Sequence, residues 1–344
     1  MDLDLTEDQT LLKESFAGFF AKESQPDRVR AAEPLGFDEA LWNELVALGA
    51  TTLAVPESYG GGGGQAMDLV VVAQEAGRRV APVPFVEAAV TNNLLARCEA
   101  TDLVRAVGDG ALATLAVRPP IDATCRLVPA GAVADIVVVF EGDELVARRR
   151  RDGSARPYVA PLPNFGSSPI ADVRLDDPAY ERIVLVSGPD AATHYGDALI
   201  EWKLLMAAAL DGLRAAALDL TVEYVKGRKA FGVPVGWFQA IQHRLADVTV
   251  AGDGGRLLVY EAAWARDEGF PNAADLASMA FLFESDVAFR TCAEGVQFHG
   301  GYGYTLEYDI QLYWRRAKAW PLALGDSSRE YQRLAGCLYP ESGR

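Results

Sequence analysis

Apolar positions near the start of the chain recur with helical spacing. Leu11, Leu12, Phe16, Phe19 and Phe20 form one stripe, and Thr6 followed by Glu7, Asp8 and Gln9 supplies a capping start for it. Leu41, Leu45 and Leu48 mark a second helix within a region, 5–52, that reads as helical. The segment 55–64, VPESYGGGGG, breaks the pattern, its proline and run of glycines predicting a turn or loop. Helical spacing resumes over 66–79 and 86–97.

From residue 111 the texture changes. ALATLAV (111–117), ADIVVVF (134–140), ELVARR and ERIVLVS (181–187) are short β-branched runs separated by Pro, Gly and Asp, which predicts strands and turns as far as Pro189. Beyond 195 the helical signal returns. Met206, Leu210, Leu213, Ala217, Leu220 and Tyr224 alternate between spacings of four and three, one stripe on one long helix. Ile241, Leu245 and Val248 begin a second helix that runs to about Asp267. Leu276, Ala280, Phe283 and Val287 begin a third, ending near His299, and a last helix spans 327–338. Long helices with short connections predict an antiparallel bundle. The expected organisation is an N-terminal helical domain (1–110), a reduced middle β domain, barrel-like or sandwich (111–190), and a C-terminal four-helix bundle (191–344). The fold class is mainly α with a small β domain.

Composition narrows the function classes. Of 344 residues 50% are hydrophobic and 23% charged, ordinary for a globular protein with a large core. No stretch approaches the roughly eighteen consecutive apolar residues of a membrane span, and the acidic start MDLDLTEDQ lacks a secretory layout. A cytoplasmic protein without membrane attachment is expected. The net charge of −16 argues against a nucleic-acid partner. The basic run Arg148 to Arg151 reads as a solvated hairpin end. Cys98, Cys125, Cys292 and Cys337 are scattered and suit reduced thiols; with only His194, His243 and His299 beside them, no metal centre is expected.

Two segments carry the candidate chemistry. In RKAFGVPVGWFQAIQHRLAD (228–247), Arg228 ends one helix, Phe231-Gly232-Val233-Pro234 breaks it, and Gln239 starts the next. Guanidinium, ring and amide at such a corner suit an anionic, planar ligand. Taken alone, the segment also fits a capped helix end with a solvated arginine. In VQFHGGYGYTLEY (296–308), Gly300, Gly301 and Gly303 follow a long helix and allow a close backbone approach; a glycine C-cap and turn would look the same. It is no dinucleotide fingerprint, because a helix precedes it rather than a strand.

Together these segments, with Tyr313-Trp314-Arg315-Arg316-Ala317-Lys318 after them and Val55-Pro56-Glu57-Ser58-Tyr59-Gly60-Gly61 before them, resemble the acyl-CoA dehydrogenase family. The resemblance touches both ends of the chain and agrees with the helix–strand–helix order. It implies FAD as cofactor, an acyl-CoA substrate, and α,β-desaturation in which a carboxylate takes the α-proton and the flavin the β-hydride. It also implies an FAD lying across a subunit interface, with its diphosphate and adenine held by the neighbour's C-terminal domain. Carried over, Arg228, Phe231 and Gln239 match the first flavin-contacting segment, and Gln297, Gly300 and Gly301 the second. Arg228 would pair with the pyrophosphate.

Three departures from the family pattern stand out. Relatives carry a base in a Glu-Gly-Thr-Ser stretch. Counting forward from Gly301 puts Leu324 there, and counting back from Gln332-Arg333-Leu334 puts Asp326 there. Asp326 is shorter and shifted, a displacement of about 1 Å costing on the order of 100-fold in rate, and it reads as the N-cap of the final helix. A second base position near the start of the first bundle helix holds Ile200-Glu201-Trp202-Lys203. Glu201 is one residue early, about 100° around the helix, and reads as a solvated first-turn acid. Lys203 falls where relatives often have an arginine. Finally, Leu115-Ala116-Val117-Arg118-Pro119-Pro120 stands where relatives have the loops that hold the flavin ring.

A chain that keeps the half of a flavin site serving a neighbour resembles the short, non-catalytic subunit of heteromeric α2β2 dehydrogenases, actinobacterial enzymes for bulky steroid-type CoA thioesters. The expected partner is a longer, catalytic acyl-CoA dehydrogenase-like subunit. The alternatives are a self-sufficient homo-oligomer using Asp326 or Glu201, a family relic that binds no flavin, and a monooxygenase of the same fold.

Overall fold

The computed structural model describes residues 3–33, 35–151 and 155–339; Met1, Asp2 and the 152–154 end of the basic turn segment lie outside them. Thr6 caps α1 (Glu7–Glu23) as its sequence predicts. Its hydroxyl accepts from the Gln9 N–H at 3.2 Å, and the Gln9 side chain accepts from the Thr6 N–H at 3.1 Å. The buried stripe is narrower than the pattern suggests, since Phe16 and Phe20 are buried but Leu11 is exposed. The region 5–52 is three helices, with α2 (Pro26–Ala32) and α3 (Glu39–Ala47) following. Asp38 caps α3 by accepting from the Leu41 N–H at 2.9 Å, and Arg28 holds the same carboxylate with contacts of 2.6 and 3.1 Å.

The glycine-rich loop folds back on itself. Gly62 and Gly64 N–H groups donate to the Thr52 and Leu53 carbonyls at 3.1 and 2.9 Å, and a Cβ on Gly61 would sit 2.2 Å from the Val55 oxygen. Only glycine fits there. Then come α4 (Ala66–Arg78), α5 (Phe85–Arg97) and α6 (Thr101–Gly108). The last is too short for its three buried residues, Leu103, Val104 and Val107, to show a period.

Six strands follow: β1 (Ala113–Leu115), β2 (Thr124–Val128), β3 (Ile136–Glu141), β4 (Glu144–Arg150), β5 (Ala171–Arg174) and β6 (Tyr180–Ser187). One sheet runs β1-β3-β4-β6, with β1 parallel to β3 and the other pairs antiparallel; β2 and β5 pair separately. TCRLV and ADVR carry too few β-branched residues to announce themselves as strands. The basic run is not a hairpin end. The β3–β4 turn lies at Gly142 and Asp143, and Arg148 to Arg150 form the far half of β4, paired with β6. Arg148 is buried because Glu141 satisfies it at 2.7 and 2.9 Å, and Arg150 lies 4.5 Å over the Tyr158 ring and 5.3 Å over Tyr180. Phe37, Trp42, Ala116, Val137, Val139 and Val173 share the core here.

The long helix α7 (Pro189–Gly227) begins before residue 195, and 201–214 are buried on every side. A hairpin of β7 (Lys229–Ala230) and β8 (Val233–Pro234) leads into α8 (Gln239–Asp267), α9 (Ala273–His299), α10 (Ile310–Ala319) and α11 (Ser327–Leu338). Leu276, Ala280 and Val287 face the core of α9 as expected, whereas Phe283 is exposed. Helices α4 and α7 cross at glycines: a Cβ on Gly77 would be 2.0 Å from the Ala209 oxygen, and one on Gly212 1.8 Å from the Gln74 oxygen.

The chain divides into two compact units. One comprises the described residues of Met1–Pro26, Val70–Ala81 and Lys203–Arg344; the other comprises those of Asp27–Leu69 and Pro82–Trp202. No described helix is long and apolar enough to cross a membrane.

Candidate functional site at the end of the helical bundle

The corner after α7 is built by its own backbone. The Val235 N–H donates to the Arg228 carbonyl at 2.8 Å, and Phe231 and Gly232 sit at the hairpin tip with φ of 52° and 82°. Positive φ at both positions matches the twist of a two-residue hairpin, but at phenylalanine it costs about 1 kcal/mol. Phe231 is 95% exposed, with its ring set edge-to-face against Phe238 6.3 Å away. Strain and exposure together at a large aromatic ring point to a ligand or partner. Helix α8 then starts at Gln239 with no side-chain cap, the Ile241 and Gln242 N–H groups both donating back to the Phe238 carbonyl.

The end of α9 meets this corner. His299 is buried, its ring stacks on Tyr224 of α7 at 4.0 Å, and the Tyr224 hydroxyl donates to the His299 carbonyl at 3.3 Å. His299 Nδ1 lies 2.7 Å from the Gly295 oxygen and so carries the proton. Burial holds the ring below the usual histidine range, only partly offset by that bond. Arg244 of α8 pairs with Glu294 and lies 5.0 Å over Phe298. Helices α7, α8 and α9 are thus tied at one end.

There the chain turns at Gly300 (φ 62°, ψ −138°), whose N–H donates back to the Gln297 carbonyl. A Cβ on Gly303 would strike the Val296 oxygen at 2.5 Å, whereas one on Gly300 or Gly301 would meet nothing within 4 Å. Val296, Gln297, Gly300, Gly301, Tyr304 and Trp314 line a groove of about 500 Å³. The Arg228 guanidinium lies 5.9 Å over the Tyr302 ring and has no acidic partner among the described residues. Tyr302, Tyr304 and Trp314 lie in the segments 296–308 and 313–318 that carry the resemblance, but none is a candidate site residue from the sequence.

The structure therefore ties Arg228 to the Gly300-Gly301 corner and sets Gln297 in the same groove. Phe231 and Gln239 belong to the adjoining hairpin and helix start, outside the residues that line the groove. The side chains of Gln239 and Gln297 make no hydrogen bond among the described residues. An unpaired guanidinium, two unengaged amides and a glycine corner open to a neighbouring group fit an anionic dinucleotide.

The candidate bases are both engaged. Asp326 caps α11, accepting from the Ser328 N–H at 2.8 Å and hydroxyl at 2.7 Å, bonds that hold its carboxyl below the usual range. Glu201 is not a solvated first-turn acid. Because α7 starts at Pro189, Glu201 lies well inside it, 3% exposed, accepting from Arg97 at 2.7 Å and Asn93 at 2.6 Å. Lys203 is buried against Glu330 at 2.6 Å, and Arg333 donates to that same carboxylate at 3.0 Å. Leu324 follows a short helical turn and holds no titratable group. Where a ring-holding loop was absent from the sequence, Ala116 and Val117 are core residues; the Ala116 N–H donates to Val138 and its carbonyl accepts from Tyr195 at 3.0 Å.

Comparison with known proteins decides the family. Residues 6–100 match the N-terminal domain of acyl-CoA dehydrogenases and 198–335 their C-terminal domain. The chain is 33% identical over 337 residues to acyl-CoA dehydrogenase IpdE2 of Mycolicibacterium smegmatis, covering 96% of this chain and 98% of that one. This chain belongs to the acyl-CoA dehydrogenase family. Among solved structures, the dehydrogenase-family chain is similar to the ChsE4-ChsE5 complex from Mycobacterium tuberculosis, with TM-score 0.87, 26% identity and 100% of both chains covered. It is similar also to the Tcur3481-Tcur3483 steroid ACAD, with TM-score 0.84, 26% identity and coverage of 96% and 98%. Butyryl-CoA dehydrogenase from Megasphaera elsdenii matches at TM-score 0.86 and 25% identity, covering 98% and 100%. For an acyl-CoA dehydrogenase, then, this chain keeps a bundle-end groove with unpaired polar groups while its two candidate bases are already bonded.

Proposed function

We propose that the chain is one subunit of an FAD-dependent acyl-CoA dehydrogenase, lending the end of its helical bundle to the ADP half of an FAD seated on a longer, catalytic relative. The observation that carries this reading is Arg228, exposed over Tyr302 with no acidic partner among the described residues. The bound FAD supplies a hydride acceptor for the acyl β-carbon. On this chain, Arg228 would hold the diphosphate, and the Phe231 ring would lie against the flat part of the group. Gln239 and Gln297 would bond its polar edges, and Gly300 and Gly301 leave room for a close approach. The partner supplies the base for the α-proton, because Asp326 and Glu201 already serve a cap and an ion pair.

Two similar structures, ChsE4-ChsE5 and Tcur3481-Tcur3483, are two-protein assemblies by their names, and the second is a steroid dehydrogenase by its name. They support a heteromeric arrangement here and a bulky, steroid-type acyl group as substrate. The test is the flavin content of the complex co-purified with a longer relative. Arg228→Ala combined with Gln239→Ala should strip the flavin while the two chains still co-purify. Unchanged flavin content would remove the cofactor assignment and favour a family relic.

A further inference from the structure

The middle of the bundle holds a buried acid that the flavin site does not use. Glu284 of α9 is 0% exposed, and neither of its oxygens accepts a hydrogen bond among the described residues. Its nearest cation, Arg214 of α7, stands at 3.6 Å through Nε. Asp211, one turn earlier on α7, shares that guanidinium and is far better provided. Arg214 Nη2 donates to one of its oxygens and Gln74 Nε2 of α4 to the other at 2.8 Å. Gln74 is in turn fixed by the Tyr260 hydroxyl of α8 at 3.2 Å.

Helix α8 makes the space. A Cβ on Gly252 would lie 1.9 Å from Arg214 Nη1, and one on Gly255 would lie 1.9 Å from Glu284 Oε1. The other charged or titratable groups facing the cluster are Glu75 of α4, the Asp253–Arg256 pair of α8 and the Cys292 thiol of α9. The Asp253–Arg256 pair is exposed and mutually satisfied at 2.9 Å. Two carboxylates therefore share one buried guanidinium, with no water-facing atom on Glu284 to spread its charge. An ionised carboxylate without donors is costly in such a place, and the group protonates instead.

We propose that Glu284 enters the folded bundle as a neutral acid, so that closing α4, α7, α8 and α9 around it takes up a proton. The hydrogen bonds decide which acid keeps its charge: Asp211 has its donors and Glu284 has none. Burial and the Asp211 charge both push the Glu284 carboxyl well above its usual range, against Arg214 and Arg256. For an acid shifted upward, the stabilising contribution is complete below its unfolded value of about 4.3 and is lost as pH rises toward the folded value. The bundle is thereby made sensitive to alkaline conditions through one interior group.

The experiment compares thermal unfolding of the full chain, in the complex if it is isolated that way, for wild type, Glu284→Gln and Asp211→Asn between pH 5 and 8.5. Glu284→Gln should match wild type near pH 5 and exceed it progressively above, the gap in the unfolding constant widening by up to about tenfold per pH unit. Asp211→Asn should be less stable throughout. A difference infrared spectrum of wild type minus Glu284→Gln should show a protonated carboxyl band at pH 7. A Glu284→Gln protein that melts below wild type at pH 8, or fails to fold where the neutral isostere should be accommodated, overturns the proposal. So does the absence of that band.

Discussion

Arg228 lies over Tyr302 with no acidic partner among the described residues, so a phosphate that reaches it gains a full charge-assisted pair. Arg228→Ala is expected to weaken flavin binding in the complex on the order of ten- to hundredfold, from about 1.5–3 kcal/mol for such a bond. Arg228→Lys keeps the charge but loses the planar fork, and should recover only part of this in the same titration. Asp38 gives a stability prediction of the same scale. The Arg28 bond, with the Leu41 N–H assisting, holds its carboxyl below the usual range despite partial burial. Its contribution is therefore present above an unfolded value of about 3.9 and lost as pH falls through the folded one. Melting curves between pH 2 and 6 should show a shallower acid limb for Asp38→Asn, while Asp38→Ala also loses the α3 cap, about 1 kcal/mol. An unaltered acid limb would show that the Arg28 contact does not hold in solution.

Among the elements, the helices were the most legible in sequence. α8 ends at Asp267 and α11 spans Ser327–Leu338 as the apolar spacing predicts, because those stripes are long and flanked by turn residues. Glu201 was misplaced for an element-scale reason. The segment after Pro189 is weakly patterned, so the true start of α7 was invisible and a buried ion pair was read as a solvated first turn. The glycines were equally opaque. Gly77 and Gly212 add nothing to an apolar stripe, yet each admits a facing backbone carbonyl at a distance no Cβ allows. Gly212→Ala should force α4 and α7 apart and destabilise by about 1–3 kcal/mol in chemical denaturation. A neutral result would mean the crossing is looser than 1.8 Å implies. The hairpin tip runs the other way. Phe231→Gly should relieve strained φ and cost the fold nothing, while flavin affinity falls, a split that a purely structural phenylalanine would not give.

For the whole molecule, the helix–strand–helix order is legible in the apolar and β-branched patterning, and the family in the segments 228–247 and 296–308 with 55–61 and 313–318, which also carry the candidate flavin residues. Their shared location was not readable, because it depends on the Tyr224–His299 stack and the Arg244–Glu294 pair joining helices distant in sequence. The division of labour in the account follows from what is engaged and what is not. Asp326 and Glu201 are bonded, whereas the side chains of Arg228, Gln239 and Gln297 make no ion pair or hydrogen bond among the described residues. The most direct measurement is to purify the chain alone and together with a longer relative, and to record flavin absorbance and its bleaching by an acyl-CoA. The chain alone should be colourless and the pair yellow, with bleaching only in the pair. A yellow homo-oligomer of this chain that is bleached by an acyl-CoA on its own would contradict the account.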